Sequence, residues 1–210
     1  MLNFVSTQAK HETMSGASDN IIFKRIKNDD KDAFNILFEE YYAPLCEFSY
    51  RIISDKQAAE EIVADVFANI WIKRRKITIT SSLKSYLFIS TKNTTLSYLR
   101  KMKNKNVNIE GMMNFEPVDG SNPEKEVISK ENLRSYEQIL LIIPEKSRMV
   151  FMMHRFDKLK YREISEILGI SIKTVEKHMG KAIKLMRDYA KQSGILGSLF
   201  VLFVKFLMKF

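Results

Sequence analysis

Beyond a turn signal at Ser54 and Asp55, the apolar residues Ala59, Ile62, Val63, Val66, Phe67 and Ile70 recur at every third or fourth position. Glu60, Glu61, Asp65 and Asn69 fall elsewhere on the same wheel. A stripe of that period is buried only along a helix that packs against other helices. The same spacing runs upstream through Phe34, Leu37, Phe38, Tyr41, Leu45 and Phe48, with Pro44 expected to kink or divide that helix. It returns from Ser82 to Met102, where Leu83, Tyr86, Leu87, Ser90, Thr94 and Tyr98 are the expected inward residues. The β-branched run Ile77 to Thr80 is short and reads as a loop. No segment carries a competing strand pattern, so the expected class is all-α.

Residues 104–123 break the pattern: they are Asn-rich, contain Gly111, Pro117, Gly120 and Pro123, and hold few aliphatics. A chain of 210 residues has room for one medium domain or two small ones, and this break favours two. The expected division is a disordered segment 1–19, a helical domain 20–105, a flexible linker 106–122, a second helical domain 123–191 and a tail 192–210. Asn122-Pro123 followed by Glu124 and Glu126 is a helix start, because proline suits the first turn and acids suit the positive end of the dipole. Helices are expected over residues 124–142, 144–155, 160–168 and 171–191.

Charge separates by segment. Asp29 to Asp65 holds ten acids against three bases, whereas Ile72 to Lys105 holds ten bases and no acid. The whole chain carries a formal net charge of +9. A basic half of that length points to a polyanion, with nucleic acid ahead of an anionic membrane surface. The acidic half asks for a basic protein partner. Cys46, the single cysteine, excludes an internal disulfide framework and fits a reducing compartment, and is expected to be a buried core thiol. His11, His154 and His178 lack metal-ligand spacing, so no metal and no cofactor is expected. The start of the chain has no continuous apolar core of the secretory kind, which fits a cytoplasmic protein. Converging carboxylates for metal-dependent phosphoryl chemistry are missing from the basic stretch, which argues against a nuclease or any other enzyme.

Residues 161–178 have the grammar of a helix-turn-helix. Ile164 and Leu168 pack the first helix, Gly169 permits a left-handed turn, and the Ser171 hydroxyl can cap the second helix. Ile172, Val175, Met179, Ala182, Ile183 and Met186 form the expected apolar stripe of that second helix. Lys173, Thr174, Lys177, His178, Lys181 and Lys184 lie on its open sides, where a helix in a major groove meets base edges and phosphates. Gly180 interrupts the helix and is expected to allow close approach of another element.

Residues 144–187, from Pro144-Glu-Lys-Ser-Arg148 to Ala182-Ile-Lys-Leu-Met-Arg187, resemble the fourth region of extracytoplasmic-function sigma factors. Glu163-Ile164 with Leu168-Gly169-Ile170-Ser171 and Thr174-Val175 is similar as well to the DNA-binding domain of LuxR-type response regulators. The first half discriminates. Ala59-Glu-Glu-Ile-Val-Ala-Asp-Val-Phe67 with Ile70-Trp71 resembles the second sigma region, and Tyr86-Leu87, Lys92-Asn93 and Leu99-Arg100-Lys101 resemble the stretch just downstream of that region. A response regulator needs an α/β receiver in that place. Ala64, Ser97, Ser165 and Lys160 depart from the sigma pattern and put local packing and capping in doubt.

The resemblance implies a subunit that gives core RNA polymerase its promoter specificity. It implies polymerase contacts at Glu61, Asp65 and Asn69, and contacts to the melting minus-ten element at Arg74, Lys92, Asn93, Tyr98, Arg100 and Lys101. Trp71, Tyr86, Phe88 and Tyr98 are the rings available to unpaired bases, although each is expected first as core. The minus-thirty-five element would be read through Ser171, Lys173, Thr174, Lys177, His178 and Lys181. An anti-sigma factor is a further implied partner. Beyond the resemblance, residues 194–210 carry a broad apolar face with Lys205 and Lys209, too short a run to span a bilayer. That tail is expected to pack on the chain's own domains, with a regulator or a membrane surface as the other candidate contacts.

Overall fold

The computed structural model describes residues 16–103 and 140–192, with side chains over residues 20–102, 140–189 and 191. The expectations for the first fifteen residues, the linker, most of the 124–142 helix and the apolar tail lie outside these residues. All regular structure among them is helical, in two compact units.

The first unit is built from α1 (Gly16–Lys27), α2 (Lys31–Ile53), α3 (Lys56–Lys73) and α4 (Leu83–Lys103). Periodicity does not mark α1, which begins inside the stretch expected to be disordered and buries Ile22, Phe23 and Ile26. It ends where Asp29 turns left-handed at φ 67°. Asp30 then opens α2 by accepting the Ala33 amide at 3.0 Å. Pro44 neither divides nor ends α2, which runs unbroken across it. The buried face of Leu37, Tyr41, Leu45, Phe48 and Ile52 binds the helix to its neighbours on both sides of the proline, so packing outweighs the hydrogen bond that proline removes. Ser54 closes α2 in the left-handed region at φ 54°, and Asp55 caps α3 through the Ala58 amide at 3.0 Å.

All six residues of the α3 stripe are buried. The inward face of α4, however, differs from the expected one. Leu83 and Leu87 are buried, but they are joined by Ser85, Phe88, Thr91 and Thr95, while Tyr86, Ser90, Thr94 and Tyr98 are only half-buried. Most of these buried hydroxyls find partners: Ser49 and Thr95 share a 2.9 Å hydrogen bond, Thr95 donates to the Thr91 carbonyl at 2.8 Å, and Ser82 donates to the Ser85 hydroxyl at 3.0 Å, whereas the Thr91 hydroxyl has no partner among the described residues. An aromatic seam joins α2 to α3, with Phe34 against Trp71 at 5.1 Å and Phe38 against Phe67 at 4.9 Å. Cys46 is half-buried at the edge of this region rather than in the core, and burial pushes its thiol up to about 11.

The second unit contains α5 (Glu145–Arg155), α6 (Tyr161–Leu168) and α7 (Ile172–Gln192). Val150, Phe151, Met153, Ile164, Ile167, Val175, Met179, Ala182 and Met186 fill its core. Ile167 takes the buried place expected of Leu168, which is half-exposed. Gly169 adopts the left-handed turn between α6 and α7 at φ 67°. Lys160 supplies no side-chain cap to α6, but Glu163 reaches back to its backbone amide at 2.8 Å and satisfies that end.

Candidate nucleic-acid interfaces

Glu61, Asp65 and Asn69 stand at successive i, i+4 positions of α3 and all three are exposed, running from the side opposite the buried stripe at Glu61 to the flank of that stripe at Asn69. Gln57 donates to the Glu61 carboxylate at 3.1 Å and the Asn69 side chain donates to the Asp65 carbonyl at 2.9 Å, which sets both side chains along the helix. This is an accessible acidic edge that contributes nothing to the core.

Between α3 and α4 lies an open cleft of about 300 Å³. Val66, Asn69, Ile70 and Lys73 line one wall, and Tyr86, Ser90, Asn93 and Thr94 line the other. Three of these, Tyr86, Ser90 and Thr94, are residues that periodicity assigns to the core. The signal for the cleft was in the sequence, since Ser90, Asn93, Thr94 and Ser97 make a polar row at helical spacing. Arg100 falls two turns beyond Asn93 and extends that row, with exposed Lys101 beside it. Lys92 is half-buried to one side, and burial lowers its pKa. Tyr98 is half-buried and Phe88 fully buried against Phe48.

Arg74 is placed differently from the other expected bases. Its guanidinium lies 4.2 Å from the Trp71 ring centroid, donates to the Trp71 carbonyl, and is held by Asp29 at 2.6 Å. Arg75 pairs with the other oxygen of the same carboxylate. The two arginines hold the Asp29 pKa below its ordinary value. Asp29 was invisible as their partner because it is distant in sequence and sits in the acidic half.

In the second unit Ser171 caps α7, accepting the Thr174 amide at 3.1 Å, and the two hydroxyls lie 2.8 Å apart in a mutual hydrogen bond. Lys173, Lys177, Lys181 and Lys184 are exposed along the helix. His178 is half-buried, and its Nδ1 shares a 3.0 Å hydrogen bond with Ser147 of α5. Burial, with Lys146, Lys177 and Lys181 nearby, lowers the imidazole pKa. The expected stripe loses two members: Ile172 at its start and Ile183 within it are exposed, while Val175, Met179, Ala182 and Met186 stay buried.

A helix-turn-helix unit and a helical unit with separate acidic and basic surfaces now stand side by side in one sequence. Residues 37–105 match Sigma-70 region 2, and residues 133–186 match Sigma-70, region 4. The chain belongs to the sigma-70 family. It is 27% identical over 172 residues to the ECF RNA polymerase sigma factor SigW of Bacillus subtilis, covering 78% of this chain and 92% of that protein. It is 24% identical over 173 residues to the ECF RNA polymerase sigma-E factor of Escherichia coli K12, covering 79% and 90%. The fold resembles that of CnrH in complex with the cytosolic domain of CnrY, at a TM-score of 0.58 and 16% identity, over 83% of this chain and 97% of CnrH. It resembles also the sigma factor RpoE in complex with the anti-sigma factor NepR from Bartonella quintana, at 0.53 and 21% identity, over 75% and 96%. This sigma factor therefore binds core RNA polymerase and promoter DNA and directs transcription initiation. The region 2 match leaves the LuxR-type alternative without support. Among the described residues no helix is long and apolar enough to cross a membrane.

Proposed function

We propose that this sigma factor divides its work among three surfaces. Glu61, Asp65 and Asn69 on α3 dock on a basic element of core RNA polymerase. The α3–α4 cleft, with Asn93, Arg100 and Lys101 beside it, takes the unpaired strand of the minus-ten element. There the lysines and arginines meet phosphates, and the polar walls, with the Tyr86 ring, accept a base turned out of the stack. Lys92 and Tyr98 flank that path, and Arg74 joins it only by leaving Asp29. The start of α7, with Lys173, Thr174 and Lys177, enters the major groove of the minus-thirty-five element, and Lys181 and Lys184 neutralise phosphates. Ser171 and His178 act there by fixing the helix instead of reading bases.

The observation that carries this reading is the division of charge within one unit: an exposed acidic edge on α3, and beside it a cleft whose second wall, α4, contains no acid. Glu61 and Asp65 lie outside the cleft, so a protein on that edge and a polyanion in the cleft can be held together, with Asn69 on the border between them. The chain would carry no catalysis of its own, hold no cofactor, act in the cytoplasm, and be bound by an anti-sigma factor as RpoE is by NepR. The test adds the full chain to core RNA polymerase and measures run-off transcription from candidate promoters. Promoter-dependent transcripts absent with core alone support the reading, and tight binding to duplex DNA without association with core overturns it.

A further inference from the structure

We propose that Ile172 reads a thymine methyl group in the upstream promoter element. The inference rests on the assignment of α7 to the major groove and adds to it a specific readout. Ile172 is the first residue of α7 and is 45% exposed, whereas Val175, Met179, Ala182 and Met186 of the same helix are at most 4% exposed. It is thus an isoleucine that periodicity places in the core stripe and the fold leaves in water. Burying it would gain hydrophobic free energy that the folded chain forgoes.

The surroundings of Ile172 narrow what it can meet. The hydroxyls of Ser171 and Thr174 bond each other, and the Ser171 hydroxyl also accepts the Thr174 amide, so both are occupied in the helix cap. His178 is drawn to Ser147. The side chains left exposed on the first turns of the helix are Ile172, Lys173, Glu176 and Lys177, with Thr174 half-buried beside them. On the DNA side, the only apolar group that base pairs present in the major groove is the 5-methyl of thymine. An exposed branched side chain at the tip of a recognition helix matches that group in chemistry. A lysine neighbour supplies the attraction that brings it there.

The experiment uses holoenzyme reconstituted from the full chain and core polymerase. The upstream element is selected from a randomised duplex pool, and each selected thymine is then replaced singly by deoxyuridine, which removes only the methyl. The expected result is one position at which the replacement lowers affinity about fourfold, the value of one buried methyl-sized group. That sensitivity should vanish in Ile172→Ala and persist in Ile172→Val. Lys181→Ala should weaken every duplex alike and leave the deoxyuridine effect intact. An element without a deoxyuridine-sensitive thymine, or a sensitivity that Ile172→Ala retains, overturns the proposal while selection of an element still upholds the role of α7. If no upstream element is selected and Lys181→Ala changes nothing, both readings fall.

Discussion

Asp29 engages Arg74 and Arg75 through its two carboxylate oxygens while sitting in the left-handed region. Asparagine tolerates that backbone conformation as readily, so Asp29→Asn removes the charge and leaves the turn. We expect the variant to unfold at nearly the same temperature, because exposed ion pairs contribute little, and to bind single-stranded DNA more tightly with a steeper dependence on salt. Fluorescence anisotropy across a salt series measures both; unchanged affinity would mean that the two arginines never reach DNA. With the Asp29 pKa lowered, its contact is complete above the ordinary carboxylate value of 3.8 and is lost only as pH falls through the lower folded value. Binding measured near neutral pH therefore needs no correction for it. His178 behaves oppositely. Its folded pKa lies below the ordinary 6.5, so the unfolded chain takes up the proton first as pH drops. Stability is full above that value, declines as pH falls from it to the folded pKa, and levels below. Thermal melts of the wild type and His178→Gln should diverge across this window, with the flatter profile in the variant; parallel profiles would remove His178 as the source.

At the scale of the element, α7 carries an unexplained defect. Gly180 lies mid-helix and exposed, and a β-carbon added there meets nothing within 4 Å. The close approach expected of it from sequence is absent among the described residues. Gly180→Ala should therefore raise stability by about 1 kcal/mol, the difference in helix propensity, as read from chemical denaturation. A loss of stability would reveal a neighbour that the open space conceals. Helix α4 offers the converse lesson. Its hydroxyl residues Ser85, Thr91 and Thr95 are inward and its Tyr86 and Thr94 line a cleft, an arrangement that a wheel ranked by hydrophobicity inverts. Thr95 is acceptable inside because its hydroxyl bonds both the Thr91 carbonyl of its own helix and the Ser49 hydroxyl of α2.

Over the whole molecule, the charge pattern along the chain becomes two surfaces of the first unit. Because Glu61 and Asp65 are exposed and outside the core, the double reversal Glu61→Lys, Asp65→Lys should leave the circular dichroism spectrum and melting temperature unchanged while reducing association with core polymerase at least tenfold. Native-gel or interferometric titration against core measures this. Retained affinity would move the docking surface elsewhere on the chain.

The sequence by itself determined the helical class, the α3 stripe, the helix-turn-helix with its Gly169 turn and Ser171 cap, and the segregation of charge. Each of these arises from neighbours within a few residues, where spacing alone sets which side chains share a face. The family was legible for the same reason, since its motifs are local runs such as Ala59 to Phe67. Only the tertiary structure decided that Pro44 interrupts nothing, that α4 turns its hydroxyls inward, that Asp29 holds Arg74, that Ser147 holds His178, and that Ile172 is left outside. Those outcomes depend on partners dozens of residues away or on which face a neighbouring helix happens to cover. Local periodicity carries no record of either.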